Sequence, residues 1–238
     1  MLEKDNKYTK MQESHYDSDA SKWSLQFKDP VVGSFDLQNN WQDYETYLWK
    51  DVGDITEKVV LDFGCGPGRN LVKWSGAVKR IDGVDISAIN LEKAKVWIEA
   101  NGLDSYNFGL YKCDGVSISE VPSNEYDIVM STIAMQHICV HEIRYNILSD
   151  FFRVLKDGGH ITIQMGFGPH VPTKKSVDYY DNFYDAVGTN GQADTRVEDP
   201  NQLKTDLEKI GFKNFNYYIT DVGPGDGHPN WIFFNAQK

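Results

Sequence analysis

The sequence predicts an α/β fold on a mostly parallel sheet, and three observations carry that prediction. From Lys58 onward, short apolar runs alternate with stretches of helical periodicity, the order expected of strands joined by helices that pack on the faces of a sheet. An acid stands at or near the end of each of the first three runs: Asp62, Asp85 and Asp114. The last two runs are joined by Gly223-Pro224-Gly225-Asp226-Gly227-His228-Pro229, too short for a crossover, so the final strand must return antiparallel.

Residues 1–50 are polar but carry Tyr8, Tyr16, Trp23, Trp41 and Trp49 among other aromatics. That suits a segment of short helices laid over a domain, a lid, with the domain itself expected over 51–238. Strands are expected at Lys58–Phe63, Arg80–Asp85, Asn107–Lys112, Tyr126–Ser131 and His160–Met165. Ser87 can cap a helix whose Leu91, Ala94 and Ile98 share one face. Ile143, Ile147, Phe151 and Val154 mark a second helix, expected to end at Asp157-Gly158-Gly159 through a glycine C-cap. An insert at about 166–199 lacks strong periodicity, as functional lids and flexible segments do. A helix at about Asn201–Ile210 and strands at Phe215–Thr220 and Trp231–Asn235 complete the chain.

Charge and cysteine usage narrow the partners. Asp and Glu number 35 against 24 Lys and Arg, a formal net charge of −11, and such a field repels phosphate backbones; no nucleic-acid partner is expected. The first residues lack the apolar core of a signal peptide, and no run approaches the roughly 18 apolar residues of a membrane span. Cys65, Cys113 and Cys139 give an odd count without paired spacing, which suits reduced thiols and a cytoplasmic location.

Val60 to Asn70 reads VLDFGCGPGRN, an apolar strand running into Gly64, Gly66 and Gly68. Glycines there let the backbone turn sharply and approach a ligand. A dinucleotide fingerprint needs its third glycine one residue later, so a nicotinamide dehydrogenase fits less well. Asp62 would repel a pyrophosphate but suits an ammonium group, which favours a ligand with an amino-acid moiety. Asp85, at the tip of the next strand, can accept from both hydroxyls of a ribose, and Asp114 from an adenine amine.

With VLDFGCGPG, GVDIS, KCDG, EYDIVMSTIAMQHI and FFRVLKDGGHITI falling in order, the chain resembles the class I S-adenosylmethionine-dependent methyltransferases, in particular their small-molecule branch. The resemblance covers Val59 to Met165 strongly and the first 50 residues hardly at all. It implies a Rossmann-like, seven-stranded, mostly parallel sheet with an antiparallel C-terminal strand and helices on both faces. It implies S-adenosylmethionine as cofactor and S-adenosylhomocysteine as product. Asp62 with Gly64, Cys65, Gly66 and Gly68 would hold the methionine part, Asp85 the ribose, and Asp114 with Gly115 the adenine, with Ile86 a further cofactor-binding residue. Ser131 and Thr132 would lie beside the sulfonium. A cofactor-binding scaffold without activity would carry the same motifs.

The fourth strand separates acceptor classes. Ser131-Thr132-Ile133-Ala134 stands where base-amine methylases of the family carry a D/N-P-P-Y type motif, and Ser131 where catechol-type enzymes carry a metal-binding acid. No metal is therefore expected, and His137, Cys139 and His141 supply too few ligands for one. No Pro-Cys dipeptide appears, against cytosine C5 methylation. His137 is placed to take a proton from a hydroxyl, or only to cap the next helix. His228, with Asp226, is the second catalytic candidate, expected over the cofactor edge if not an ordinary turn tip. Arg144 is read as a surface ion-pair residue rather than a receiver of an acidic substrate. Tyr179, Tyr180, Phe183 and Tyr184 either wall an acceptor pocket or pin the insert to the core. The expected reaction is O-methylation of a small polar acceptor such as a sugar, with N-methylation of a small amine as the alternative.

Overall fold

The central strands form where valine, isoleucine and leucine cluster between turn residues, and they are buried on both faces, as parallel strands covered by helices are. β1 (Val59–Phe63) is buried at every position, and β2 (Arg80–Asp85) and β4 (Tyr126–Thr132) at nearly every one. With β3 (Leu110–Lys112), β5 (Leu155–Phe167), β8 (Lys213–Asp221) and β9 (Asn230–Gln237) they make one sheet of order β3-β2-β1-β4-β5-β9-β8. β1 pairs in parallel with β2 and β4, β2 with β3, and β4 with β5. β9 runs antiparallel to both β5 and β8, so β8 runs the same way as β5. This computed structural model describes residues 6–27, 46–103, 108–169, 176–185, 193–221 and 229–238.

Alternation along the strands divides the core in two. Val59, Leu61 and Phe63 of β1 face a cluster completed by Ile143, Ile147 and Phe151 of α4 (His141–Val154) and by Leu203 and Leu207 of α5 (Pro200–Ile210). Val60 faces the other, with Leu71 and Trp74 of α2 (Arg69–Trp74) and Ala94 and Ile98 of α3 (Ala88–Ala100). Helices therefore cover both faces. Ser87 caps α3 as its position predicts, its side chain accepting from the Asn90 N–H at 3.0 Å. Asp199 and Gln202 form a reciprocal capping box at the start of α5.

Two expectations need correction. α4 does not end at Asp157-Gly158-Gly159. It ends at Val154, because Leu155 is a fully buried core residue already paired with Tyr126, and the glycines lie in the irregular start of β5. The register shift between Tyr126 and Ile128 marks that irregularity, and Gly158 takes a φ of +79° there. The insert, for its part, is not without regular structure. β6 (Ser176–Asp178) and β7 (Asp194–Arg196) form a small parallel pair, and Val197 bridges to Phe167 at the end of β5.

α1 (Lys7–Ala20) is capped by Asn6, whose side chain accepts from the Thr9 N–H at 2.9 Å. It crosses the ends of β2 and β3 through polar contacts. Asp17 accepts from the Ser87 hydroxyl at 2.5 Å and the Ile89 N–H at 3.4 Å, and Glu13 pairs with Lys112 at 2.8 Å. Phe35, Trp41 and Tyr44 lie outside the described residues.

Candidate functional site

The chain leaves β1 for β2 and β3 on one side, then returns to lay β4 on the other, so the strand order reverses between β1 and β4. Open α/β sheets bind ligands in the crevice that opens at the carboxyl ends of such strands. A cavity of about 430 Å³ lies there, within the range of small-ligand sites. Its walls come from the strand ends: Phe63 to Pro67 after β1, Asp85 and Ile86 after β2, Cys113 and Gly115 after β3, and Thr132 to Ala134 after β4. One side of α1, with the residues after it, closes the opposite side through Thr9, Gln12, Tyr16 and Trp23.

Among the motif residues, Gly64, Cys65, Gly66, Asp85, Ile86, Gly115 and Thr132 reach this cavity. Asp85 knits the glycine loop to β2: one oxygen accepts from the Gly66 N–H at 2.9 Å, the other from the Ser87 N–H at 2.8 Å. Burial raises the pKa of its carboxyl above the ordinary carboxylate range, opposed by those two backbone donors. Gly66 has a φ of +52°, and a Cβ there would meet nothing within 4 Å, since it would project into open space. Gly68 stands apart from the cavity wall. It begins α2 at a φ of +88°, where a Cβ would lie 3.1 Å from that of Ala94, so it serves close packing of α2 on α3.

Two expected site residues are turned elsewhere, and a third is buried behind the glycine loop. The Ser131 hydroxyl is fully buried and donates to the Phe63 carbonyl at 3.0 Å, tying β4 to β1. One oxygen of Asp114 accepts from the N–H groups of Val116 and Ser117 at 2.9 and 2.7 Å; this carboxylate shapes its own turn while Cys113 and Gly115 face the cavity. Asp62 lies behind the loop, 1% exposed. One of its oxygens is 3.5 Å from Asn70 Nδ2, and the other has no hydrogen-bond partner among the described residues. Burial pushes its pKa up to about 7 against the pull of the Arg69 guanidinium.

Sequence reasoning missed the groups that meet at Thr132. Arg69 Nη2 and Asn70 Nδ2 both donate to its Oγ1, at 3.0 and 3.1 Å, and both side chains line the cavity. Ile133 follows with a φ of +65°, rare for a β-branched residue, and its N–H donates to Gln164 Oε1 at 2.8 Å. Strain of this kind is stored at functional sites. The lid expected over residues 1–50 came without cavity-facing residues assigned, because the inward Thr9, Gln12 and Tyr16 of α1 are polar or aromatic and leave no apolar stripe.

His137 ends a 3-10 turn, Met135–His137, and lines the cavity. Its Nδ1 lies 2.6 Å from Asp194 Oδ1, an acid from β7 that sequence reasoning did not single out. Its backbone carbonyl accepts from the Tyr8 hydroxyl at 3.2 Å and from Gln12 Nε2 at 3.0 Å. His228 and Asp226 lie outside the described residues. The three cysteines are free; burial pushes Cys113 and Cys139 up to about 12 and Cys65 well above its ordinary value, so none is a thiolate nucleophile at neutral pH. Among the described residues no group of three or more His, Cys, Asp or Glu is placed to hold a metal ion, and no helix is long and apolar enough to cross a membrane.

The aromatic cluster of the insert does not wall the cavity. Tyr179 is 1% exposed and donates to Asp206 Oδ2 at 3.0 Å, while Tyr184 packs edge-on against Tyr8. It pins the insert to the core. Arg144 is not a surface ion-pair residue either: it is 1% exposed and held by carbonyl and hydroxyl oxygens.

Residues 60–159 match the model of the methyltransferase-domain family. An uncharacterized protein of Haemophilus influenzae is 35% identical over 87 residues, 36% of this chain and 34% of that protein, so the chain matches about a third of that relative's length. Among solved structures, phosphoethanolamine N-methyltransferase 2 of Haemonchus contortus superposes with a TM-score of 0.66 at 17% identity over 94% of this chain and 60% of that one. A Mesorhizobium loti S-adenosylmethionine-dependent methyltransferase gives 0.62 at 15% identity, over 86% and 100%. The cyclase SpnF gives 0.61 at 16% identity, over 89% and 82%, a reminder that this fold carries more than one chemistry. The family match spans the glycine loop and the four strand ends around the cavity, and the solved structures share the fold.

Proposed function

We propose that the chain transfers the methyl group of S-adenosylmethionine to a hydroxyl of a small polar acceptor, a sugar or sugar-linked metabolite, with His137 as general base. The His137–Asp194 pair at the cavity wall carries this reading. A carboxylate on Nδ1 fixes the tautomer and leaves Nε2 as the basic nitrogen, the arrangement a hydroxyl acceptor needs. The cofactor supplies an electrophilic methyl group on its sulfonium. The residues present fit that group: Gly66 offers space for its backbone approach, Asp85 faces the cavity for the ribose, and Ile86, Cys113 and Gly115 offer walls for the adenine. Arg69, in the cavity wall, suits the carboxylate of the methionine part, and Asp62, buried behind the glycine loop with one oxygen unpartnered among the described residues, suits its ammonium. On this reading α1 is the lid and excludes water from the acceptor side.

N-methylation of a small amine is the second reading, because an N-methyltransferase stands among the neighbours in fold. A neutral amine needs positioning and no base. Incubating the protein with methyl-labelled cofactor and a metabolite extract separates the two by mass spectrometry. A labelled methyl ether supports the proposal, a labelled N-methyl amine the second reading, and transfer to nothing overturns both.

Two predictions follow from the site. The charged form of Asp62 is the one an ammonium requires, and its carboxyl titrates near pH 7. S-adenosylhomocysteine affinity is therefore expected to fall about tenfold between pH 8 and pH 6 and to stay flat in Asp62→Asn, as proton linkage requires. Calorimetry at the two pH values checks it, and an unchanged slope in the variant contradicts the role. Excess EDTA is expected to leave turnover unchanged, since Ser131 stands where a metal-binding acid would be needed. Activity lost to chelator and restored by Mg²⁺ would refute that.

A further inference from the structure

Arg144 is a buried charge whose partners are carbonyl and hydroxyl oxygens. Burying a guanidinium costs several kcal/mol unless its donors are well satisfied; Nε has no partner among the described residues, so the partners of Nη1 and Nη2 show what it is for. Nη1 donates to the Ile138 carbonyl and, at 2.8 Å, to Thr195 Oγ1; Nη2 donates to the Tyr179 carbonyl. Thr195 Oγ1 itself donates to the Ile138 carbonyl at 3.2 Å. These acceptors sit next to the proposed catalytic pair in sequence, since Ile138 follows His137 and Thr195 follows Asp194.

Segments 137–139 and 193–195 are thus stitched together three times. Cys139 Sγ donates to the Ala193 carbonyl at 2.9 Å, His137 meets Asp194 at 2.6 Å, and the Thr195 hydroxyl meets the Ile138 carbonyl. Arg144 clamps the third stitch from α4. Its guanidinium lies 5.1 Å from the Tyr179 ring, whose hydroxyl donates to the Asp206 oxygen that His141 Nε2 approaches at 2.7 Å. Three acceptors on three separate segments require a planar fork of donors; a lysine ammonium offers a single point.

We propose that Arg144 and Thr195 are positioning residues for the His137–Asp194 pair, holding Asp194 against Nδ1 so that the ring keeps one tautomer. This rests on the reading of His137 as general base. The test uses the full chain as wild type, Thr195→Val, Thr195→Ser and Arg144→Lys, loaded with S-adenosylhomocysteine for the spectra and free of it for the rates. Long-range ¹H–¹⁵N spectra of the His137 ring are expected to show a single Nδ1–H tautomer in wild type and Thr195→Ser, and a mixture in Thr195→Val. The initial rate of S-adenosylhomocysteine formation, with methyl-labelled cofactor and a pooled metabolite extract as acceptor source, is expected to fall at least about tenfold in Thr195→Val and to recover in Thr195→Ser. Cofactor affinity is expected to hold within about twofold, because no contact to the cofactor changes.

A background of His137→Ala separates positioning from general loosening. If Thr195 acts through His137, adding Thr195→Val removes nothing further; an equal additional loss overturns the proposal. A wild-type tautomer and rate in Thr195→Val overturn it as well. Full turnover in His137→Ala alone defeats the general-base reading instead, and the tautomer spectra then still decide the positioning claim. Arg144→Lys is expected to repeat the Thr195→Val loss; where it fails to fold, the Thr195 pair of variants decides.

Discussion

Gly66→Val is expected to abolish cofactor binding, weakening S-adenosylhomocysteine by about 100-fold or more, close to 2.7 kcal/mol. The chain folds around this glycine without touching its missing side chain, since a Cβ would find nothing within 4 Å. A valine there fills the space in which backbone and ligand would meet. The substitution also pays for a φ of +52°, at roughly 1–2 kcal/mol, which should lower Tm by a few degrees without unfolding the protein. Gly64→Val is a poorer probe, because its Cβ would lie 2.2 Å from that of Ala134 and would disturb the fold itself. Calorimetry with a thermal melt on the same sample separates the two effects. A folded Gly66→Val protein with wild-type affinity would remove the glycine loop from the cofactor site.

His137→Ala is expected to lower kcat by about 10²–10⁴, the usual contribution of a general base, with cofactor affinity unchanged. Asp194→Asn should reproduce part of that loss, because an amide no longer holds Nδ1–H as a charged acceptor does. Single-turnover rates with saturating cofactor measure this directly. Full activity in His137→Ala would transfer the proposal to an amine acceptor and leave the histidine a structural cap.

The sheet was legible because β1 and β4 carry the apolar runs Val59–Leu61 and Ile128–Met130, β1 leads into Gly64, β2 ends in Asp85, and the sequence between β8 and β9 is too short for a crossover. The end of α4 was misread because Asp157-Gly158-Gly159 carries the chemistry of a helix cap, while burial of Leu155 decided the matter a few residues earlier. Asp62, Asp85 and the glycine loop were visible as a motif, yet which atoms face the cavity was not. Ser131 and Thr132 are adjacent, and only Thr132 opens to it. Asp194 was not singled out from sequence, and Arg144 was read as a surface ion-pair residue. They act across separations of 57 and 51 residues, from an insert and a helix whose local patterns give no hint of what they meet.

The central claim is that S-adenosylmethionine binds over the carboxyl ends of β1 and β2, beside the point where the strand order reverses between β1 and β4. A crystal structure with S-adenosylhomocysteine tests it most directly. The account predicts ribose hydroxyls on the Asp85 carboxylate, adenine against Ile86 and Gly115, and the homocysteine reaching toward Arg69 and Asn70. Electron density for the ligand elsewhere on the chain, or none at saturating concentration, would contradict it.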